Sequence, residues 1–364
     1  MTEMQCSSSP NDVNAGKIPS CIDVSFIVPA YNAAGTLERA VRSAIGQNGL
    51  TLEVIVVDDG SVDGTLAVAN AIAERWANVR VIHTSNGGVS RARNVGLNAA
   101  LGTWVAFLDS DDELVGNAYG ELLGGNAIDG FDIVFGLKEY VLPGELEGRI
   151  YKELAILGEP LAEIGTIEVF RNLLSIEDDS LSGSCTRAIY RREWLLGGEI
   201  SFPVGITMAE DYCFLLSCLE SHPRIAKIGL LLYRVNQSGA SVTSGVIPAM
   251  DKSMDYTDRS LELAVGEYPG LRDMLTPNLA NNAWLRLDNQ AKASFADALR
   301  VSRELYSTEY IRNAIHDARA DDKKNKVRQA ILKTGLLHPL VPAAVLRLKR
   351  WLGGFRWRIN YRVR

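Results

Sequence analysis

The chain has 364 residues, of which 47% are hydrophobic and 23% are charged, and it carries a net charge of −6. This composition excludes a wholly disordered chain, a collagen and a polytopic membrane protein, and the length exceeds what one hydrophobic core usually supports. The charge is divided unevenly, because residues 323–364 contain twelve Lys and Arg and no Asp or Glu, so the remaining residues sum to −18. We therefore expect a folded body followed by a basic segment suited to an anionic surface.

The cysteines and the two ends of the chain favour a cytoplasmic protein. Five scattered cysteines include no CxxC pair and no histidine at zinc-ligand spacing, so neither a disulfide framework nor a zinc site is expected. The first 22 residues lack the basic and apolar regions of a signal peptide. The longest apolar run near the end, at 336–346, is too short to span a membrane.

Short β-rich runs alternate with helical stretches from residue 23 to residue 135. The runs predicted as strands are 24–28, 53–57, 79–83, 104–108 and 131–135, and the stretches predicted as helices are 36–47, 64–75, 90–101 and 115–124. This alternation predicts an α/β fold in which a mostly parallel sheet is sandwiched by helices. Such sheets bind ligands beyond the carboxyl ends of their strands, which is where the polar motifs of this chain fall.

The pattern divides the chain into four segments. We predict a flexible arm at 1–22, an α/β domain at 23–245, a helical region at 246–322 and a basic amphipathic tail at 323–364. Within the α/β domain, a further helix is expected near 208–221 and a further strand at 228–233.

Two carboxylates follow the fourth predicted strand. Asp109 and Asp111, on either side of Ser110, can converge on one hard cation such as Mg²⁺ or Mn²⁺. An acidic turn is a common alternative for such a triplet. The position of the triplet at a strand end favours a ligand site.

Three further motifs each have a structural and a functional interpretation. Asp59, which ends the second strand, could accept the N3–H of a uracil ring or serve only in a turn. Arg91 and Arg93 open a helix and suit a diphosphate, although one of them could be an ordinary surface residue; we favour Arg93 for the ligand. Asp211, at the start of the helix near 208–221, is either a helix-capping carboxylate or a general base.

Several enzyme classes are disfavoured by missing motifs. The chain has no G-x-G-x-x-G dinucleotide motif, no P-loop and no G-x-S-x-G nucleophile elbow. Its four histidines are isolated, which favours structural positions for them.

Five stretches occur in this order along the chain: VSFIVPAYNAAGTL, VIVVDDGSVDGT, NGGVSRARNVG, VAFLDSDDEL and MAEDYCFLL. Together they resemble the family 2 glycosyltransferases, an inverting group with the GT-A fold, over about residues 23–245. The resemblance implies that Pro29, Tyr31 and Asp59 hold the nucleotide base. It further implies that Asp109 and Asp111 hold the cation and the donor diphosphate, with Ser110 and Arg93 among the donor-binding residues, and that Asp211 is the catalytic base.

Two more segments are similar to parts of that family. Residues 185–190 resemble its Trp-x-Lys-Leu-Tyr stretch, with Arg187 in place of Lys, and Tyr233-Arg234 followed by 238–243 resembles its flexible segment over the diphosphate. The implied reaction is a single displacement from a nucleotide sugar, here a UDP-sugar, with Mn²⁺ or Mg²⁺ as cofactor. The chain lacks the Gln-x-x-Arg-Trp motif of processive synthases, so one sugar is expected per encounter, on a glycan or a polyprenyl-linked acceptor of surface polysaccharide synthesis.

The sequence disfavours other functions. A sugar nucleotidylyltransferase would open with a Gly-rich loop after the first strand, where this chain has Pro29-Ala-Tyr-Asn. A non-catalytic nucleotide-sugar-binding protein is disfavoured by the intact set of Asp109, Asp111 and Asp211. No nucleic-acid partner is expected for a body of charge −18.

The basic tail contains an amphipathic pattern. Val345, Leu348 and Leu352 fall on one helical face of residues 342–352, and the final ten residues alternate between apolar and polar types. Packing against the body is the structural alternative. We favour a peripheral contact with an anionic membrane surface on the inner face of the cell membrane.

Overall fold

A computed structural model describes the chain in segments. The described residues are 21–125, 127–141, 158–166, 168–169, 184–206, 209–236, 283–284, 286–288, 294–307, 309–317, 323–336 and 338–351. They fall into two compact units. The first is built from described residues within Met1–Thr166, Ser184–Gly205 and Ser221–Ser238, and the second from those within Ile167–Gly183, Ile206–Glu220 and Gly239–Arg364.

The first unit is organised around one sheet, to which the described residues contribute nine strands. In chain order they are β1 (Val24–Ala30), β2 (Leu52–Asp59), β3 (Val79–Thr84), β4 (Trp104–Phe107), β5 (Glu113–Leu114), β6 (Ile133–Val141), β7 (Ala162–Ile164), β8 (Ala188–Arg191) and β9 (Ile225–Asn236). The order across the sheet is β3-β2-β1-β4-β8-β6-β9-β5, and β7 pairs with β9.

Six of these strands run in the same direction. β1 to β4 pair in parallel, and β6 has the same direction because both β4 and β6 are antiparallel to β8 between them. β9 is parallel to β6, whereas β5 and β7 are antiparallel to β9. The predicted α/β fold with a mostly parallel sheet is therefore confirmed, and the carboxyl ends of its long strands lie at one edge.

Helices cover both faces of this sheet. Those of the first unit are α1 (Leu37–Ile45), α2 (Thr65–Arg75), α3 (Val89–Ala99), α4 (Ala118–Gly125) and α5 (Arg192–Gly197). The apolar faces of α1, α2 and α4 share one core with Phe26 and Val28 of β1. On the other face, α3 approaches β1 so closely that a Cβ at Gly96 would lie 2.3 Å from Cγ2 of Ile27. Because both faces are covered, β1 and β2 are buried along their whole lengths.

The second unit is helical in its described part. Its helices are α6 (Glu210–Glu220), α7 (Phe295–Ser307), α8 (Glu309–Asp317), α9 (Lys323–Gly335) and α10 (Leu340–Trp351). A core formed by α7 to α10 includes Leu305, Leu332 and Leu346. The ring of Tyr306 packs where a Cβ at Gly335 would stand, and its hydroxyl donates to the carbonyl of Leu332 at 2.6 Å.

The tail prediction is partly addressed by α10. Its Ala343 and Leu346 are fully buried in the helical core, while Val345 is 37% exposed. Successive helical residues turn by 100°, so position 345 lies on the side away from the buried face. Leu352 and the alternating last ten residues lie outside the described residues, as do the segment 238–243 and most of the arm at 1–22.

Two sequence expectations concern the cysteines and membrane spans. Cys185, Cys213 and Cys218 are free thiols, but Cys21 is disulfide-bonded, so the expectation that no cysteine is paired is wrong at this position. Within the described residues, no helix combines the length and the apolar character needed to cross a bilayer.

Candidate functional site

The candidate site lies at the edge of the sheet where β1, β2 and β4 end. Ala30 and Asp58 are paired at the ends of β1 and β2, and the loop 108–112 leaves β4 beside them, since β4 pairs with β1. Side chains that follow these strands therefore share one edge, as the sequence predicted.

Asp59 holds the turn that precedes α3. Its Oδ1 accepts the backbone N–H of Gly87 at 2.9 Å, and its Oδ2 accepts that of Gly88 at 2.7 Å. The residue is 3% exposed. The Thr84 hydroxyl also donates to Oδ1 at 3.4 Å. A carboxylate has about four lone-pair positions, so these three hydrogen bonds leave capacity for a further donor such as a nucleotide base.

Gly60 permits this arrangement of the turn. Its φ is +71°, and a Cβ there would lie 2.5 Å from the backbone nitrogen of Asn86. A larger residue would therefore push the turn away from the end of β2.

The loop after β1 is tied to the loop after β2. The backbone N–H of Asn32 donates to Ser61 Oγ, and Asn32 Oδ1 accepts the N–H of Val62, both at 3.0 Å. Pro29 is buried within β1, and Tyr31 is 51% exposed beside the tied loops. The ring of Tyr31 is thus displayed on a fixed backbone, which suits a flat ligand.

Arg93 lies beneath the loop that leaves β4. Its Nη2 donates to Asp109 Oδ1 at 2.8 Å, and its guanidinium stacks 5.1 Å from the ring centroid of Phe202. Arg93 is 2% exposed. Arg91 is partly exposed at the surface and donates to the carbonyl of Ser85. Arg93 rather than Arg91 therefore contacts the Asp109 loop.

A second set of contacts holds the same loop from β9. The backbone N–H of Asp109 donates to the hydroxyl of Tyr233 at 3.1 Å, and that hydroxyl donates to Asp112 Oδ2 at 2.8 Å. The backbone N–H of Asn236 donates to Asp112 Oδ1 at 2.8 Å. Burial of Asp112, together with the negative charges of Asp109 and Asp111, raises its pKa to about 7 despite these hydrogen bonds.

Helix α1 supports the segment that follows. Arg39 and Ser43 lie four residues apart on one face of the helix, and Gln47 follows just beyond its end at Ile45. Arg39 Nη2 donates to the carbonyl of Asp111 at 2.6 Å, Ser43 Oγ accepts the N–H of Leu114, and Gln47 Oε1 accepts the N–H of Tyr119. A row of polar side chains thus fixes residues 111–119 against α1.

The residues of this loop fit a divalent cation shared with a ligand. Asp109 is about one-third exposed, Asp111 is exposed and Ser110 between them is half-buried. Burial and, after it, the negative charges of Asp109 and Asp111 raise the pKa of Asp112, and a cation would offset the charges of those two carboxylates. Within the described residues, no three His, Cys, Asp or Glu side chains form a metal-binding group. Two carboxylates completed by phosphate oxygens is the arrangement that Mg²⁺ commonly takes.

Asp211 belongs to the second unit. It lies in the first turn of α6, after Ala209, whose φ is +60°. Its assignment as the base stays a prediction.

Sequence reasoning missed Asp112 and Asn236 as parts of the site, and it placed Tyr233 in a segment over the diphosphate without finding its contacts with the loop 109–112. Asp112 adjoins the D-x-D triplet, but its hydrogen-bonding partners lie more than 120 residues further along the chain. No spacing rule links positions so far apart. The acidic run Asp111-Asp112-Glu113 was the available signal.

Comparisons with known proteins agree with this architecture. Residues 25–196 match the model of glycosyl transferase family 2. The chain is 31% identical over 236 residues to the uncharacterized glycosyltransferase EpsJ of Bacillus subtilis, covering 64% of this chain and 66% of EpsJ. It is 34% identical over 227 residues to the succinoglycan biosynthesis protein ExoO of Rhizobium meliloti, covering 59% and 60%. The chain thus spans less than two thirds of the length of either relative.

A solved structure shares the fold. Residues 1–349 of S. aureus TarS, in complex with UDP-GlcNAc, superpose with a TM-score of 0.65 at 20% identity, covering 92% of this chain and 93% of that one. The likeness confirms the predicted GT-A type of fold.

Proposed function

We propose, because residues 25–196 match the model of glycosyl transferase family 2, that the chain is an inverting, metal-dependent glycosyltransferase. It moves one sugar from a UDP-sugar to a hydroxyl of a glycan or lipid-linked acceptor. The observation that carries this proposal is that Asp59, Asp109 and Asp111 follow parallel strands at one edge of the sheet. The UDP-GlcNAc bound by TarS supports a UDP donor, and the name of ExoO supports a surface polysaccharide as product.

The base of the donor binds at the ends of β1 and β2. Tyr31 offers a ring on which uracil can stack, and Pro29 shapes the strand end behind it. Asp59 accepts the N3–H of uracil with the lone pairs that Gly87 and Gly88 leave available. A cytosine ring, which has no N–H at position 3, would lose this hydrogen bond.

The diphosphate binds above the loop 109–112. Asp109 and Asp111 would hold Mn²⁺ or Mg²⁺, which when bound supplies positive charge to the departing diphosphate. Arg93 fixes Asp109 through its Oδ1, so the carboxylate keeps one orientation. The Ser110 hydroxyl can donate a hydrogen bond to an oxygen of the nucleotide sugar.

Asp211 takes the proton from the acceptor hydroxyl. The acceptor oxygen then attacks the anomeric carbon on the face opposite the diphosphate, the bond to the diphosphate breaks, and the configuration inverts. Asp211 lies in the first turn of α6.

The tail brings the enzyme to an anionic membrane surface. Val345 is exposed on the side of α10 away from the helical core. Residues 323–364 contain twelve basic residues and no acidic residue. Lipid-linked acceptors are found at such a surface. We therefore propose a peripheral location on the inner face of the membrane.

The test is nucleotide release from a panel of nucleotide sugars by the purified chain with Mn²⁺. We expect a UDP-sugar to be cleaved, and Asp109→Asn and Asp111→Asn each to slow release by ~10²-fold or more, because several kcal/mol of charge stabilisation would be lost. Asp129→Asn removes one exposed carboxylate from another loop and serves as the control. If no nucleotide sugar is cleaved or stabilises the fold, the proposed function is wrong.

A further inference from the structure

We propose that the end of β9 is a clasp that sets the shape of the cation-binding loop, with Tyr233 and Asn236 as positioning residues. The inference rests on the proposed function, because it assumes that Asp109 and Asp111 hold a cation. Tyr233 begins a segment that resembles one over the diphosphate, but the role proposed here acts through the loop 109–112.

The hydroxyl of Tyr233 links two parts of the loop. It accepts the N–H of Asp109 and donates to the carboxylate of Asp112, so one oxygen fixes both ends of the turn 109–112. Tyr233 is fully buried, which excludes water as a replacement partner. Without the hydroxyl, the N–H of Asp109 and one oxygen of Asp112 would lose this shared partner.

Asn236 binds the loop two residues further along the strand. Its backbone N–H donates to Asp112 Oδ1 at 2.8 Å, and its Nδ2 donates to the carbonyl of Asp111 at 3.3 Å and to Glu113 Oε2 at 3.1 Å. Arg39 of α1 approaches the same two acceptors from the other side, with its Nη2 2.6 Å from that carbonyl and its Nε 3.4 Å from Glu113 Oε2. The backbone of Asp111 is therefore held between two elements.

These contacts decide how the loop meets a cation. The carboxylates of Asp109 and Asp111 are carried by backbone atoms that the clasp fixes, and Mg²⁺ and Mn²⁺ sites require oxygen ligands in defined positions. A loop that must be ordered on binding loses affinity for the cation. The base-binding residues on β1 and β2 make no contact with Tyr233 or Asn236 among the described hydrogen bonds, so base binding should not depend on the clasp.

The test measures cation binding directly in Tyr233→Phe and Asn236→Ala. Free Mn²⁺ is followed by electron paramagnetic resonance in the presence of saturating UDP, and UDP binding is measured separately by calorimetry in EDTA. We expect the dissociation constant for Mn²⁺ to rise by about tenfold in each variant, as the loss of hydrogen bonds to buried or charged groups implies. UDP binding in EDTA should stay within about twofold of wild type.

Two matched controls are available. Tyr119 is also fully buried, and its hydroxyl has no hydrogen-bond partner among the described residues, so Tyr119→Phe removes a hydroxyl without breaking a link. Among the described contacts, Asn48 Nδ2 donates to the nearby carbonyl of Gly46, so Asn48→Ala tests the loss of an ordinary turn contact. Both should bind Mn²⁺ as wild type does.

The outcomes separate this proposal from the proposed function. Wild-type affinity for Mn²⁺ in both clasp variants would overturn the clasp, as would an equal loss of UDP binding in EDTA. If the wild-type chain binds UDP but no Mn²⁺, both the cation role of Asp109 and Asp111 and the clasp are overturned. The nucleotide-release assay then still tests the glycosyltransferase activity independently. Should Tyr233→Phe fail to fold, Asn236→Ala decides the matter, since Asn236 is only partly buried.

Discussion

Asp59 has a structural role beside the base-binding role that we propose for it. Its two oxygens accept the N–H groups of Gly87 and Gly88, and an amide would offer only one accepting oxygen and would direct its NH₂ group at an N–H donor. We expect Asp59→Asn to lower stability by about 1–3 kcal/mol and UDP affinity by about tenfold or more. Thermal unfolding and calorimetry with UDP measure the two effects. Unchanged UDP affinity would remove Asp59 from the base site.

Asp211 can be separated from donor binding by a conservative change. Asp211→Asn keeps the shape of the side chain but cannot take a proton, so transfer to an acceptor should fall by ~10²-fold or more while UDP affinity stays near wild type. The measurement is transfer rate beside UDP affinity, with Glu220→Gln at the far end of α6 as the control. Undiminished transfer would assign the base to another residue.

Individual site residues were predictable where a motif surrounds them. The strand-end positions of Asp59 and Asp109 follow from alternating apolar runs and turn residues, and both were placed at the observed edge. The ion pair of Arg93 with Asp109 was not predictable, because helix periodicity says which residues share a face but not which loop that face meets. Arg93 was expected to bind the diphosphate, and the structure adds that it supports Asp109.

At the level of elements, the fit between α3 and β1 depends on the absence of a side chain. A Cβ at Gly96 would stand 2.3 Å from Cγ2 of Ile27 in a fully buried contact. We expect Gly96→Ala to lower the free energy of unfolding by about 1–3 kcal/mol. Chemical denaturation measures the change, and Gly35→Ala is the control because nothing lies within 4 Å of its Cβ position.

A double-mutant cycle tests whether the contact between a Cβ at position 96 and the side chain of Ile27 causes this loss of stability. Ile27→Ala removes Cγ2, so adding it to Gly96→Ala should cost less than the sum of the two single changes, with a coupling of about 0.5–3 kcal/mol. Strict additivity would mean that the loss arises elsewhere in α3.

The strongly periodic elements were predicted to within a few residues, and the short strands were not. The run at 53–57 is contained in β2 (Leu52–Asp59), and the helix at 64–75 matches α2. β5, with two residues, and β7, with three, are too short to show an alternating pattern. The reversed direction of β8 depends on long-range pairing that no local pattern encodes.

For the whole molecule, the central question is whether the tail binds a membrane. A cut at residue 323 would remove Leu332, Ala343 and Leu346 from the helical core, so the informative truncation begins at residue 353. It removes four arginines, each contributing ~1 kcal/mol near an anionic leaflet. We expect this truncation and Val345→Asp each to shift the protein from sedimenting vesicles containing phosphatidylglycerol into the supernatant.

The control for the charge change is Val62→Asp, which alters an exposed valine of the first unit. Donor binding should be unaffected by the truncation. If the full chain does not sediment with these vesicles at low salt, the membrane contact is absent and the tail serves the fold alone.

Ser43 of α1 and Gln47 just beyond its end also couple the segment after the loop 109–112 to the opening motions of the helix. The amides of Leu114 and Tyr119 donate to side chains about seventy residues earlier in the chain, on Ser43 and Gln47. Their protons can exchange with deuterium only when these links open, which couples them to the opening of α1. Residues distant in sequence should therefore exchange as one cooperative unit. A substitution that destabilises α1 should first increase the mobility of the Asp109 and Asp111 carboxylates, which lie at the other end of that unit.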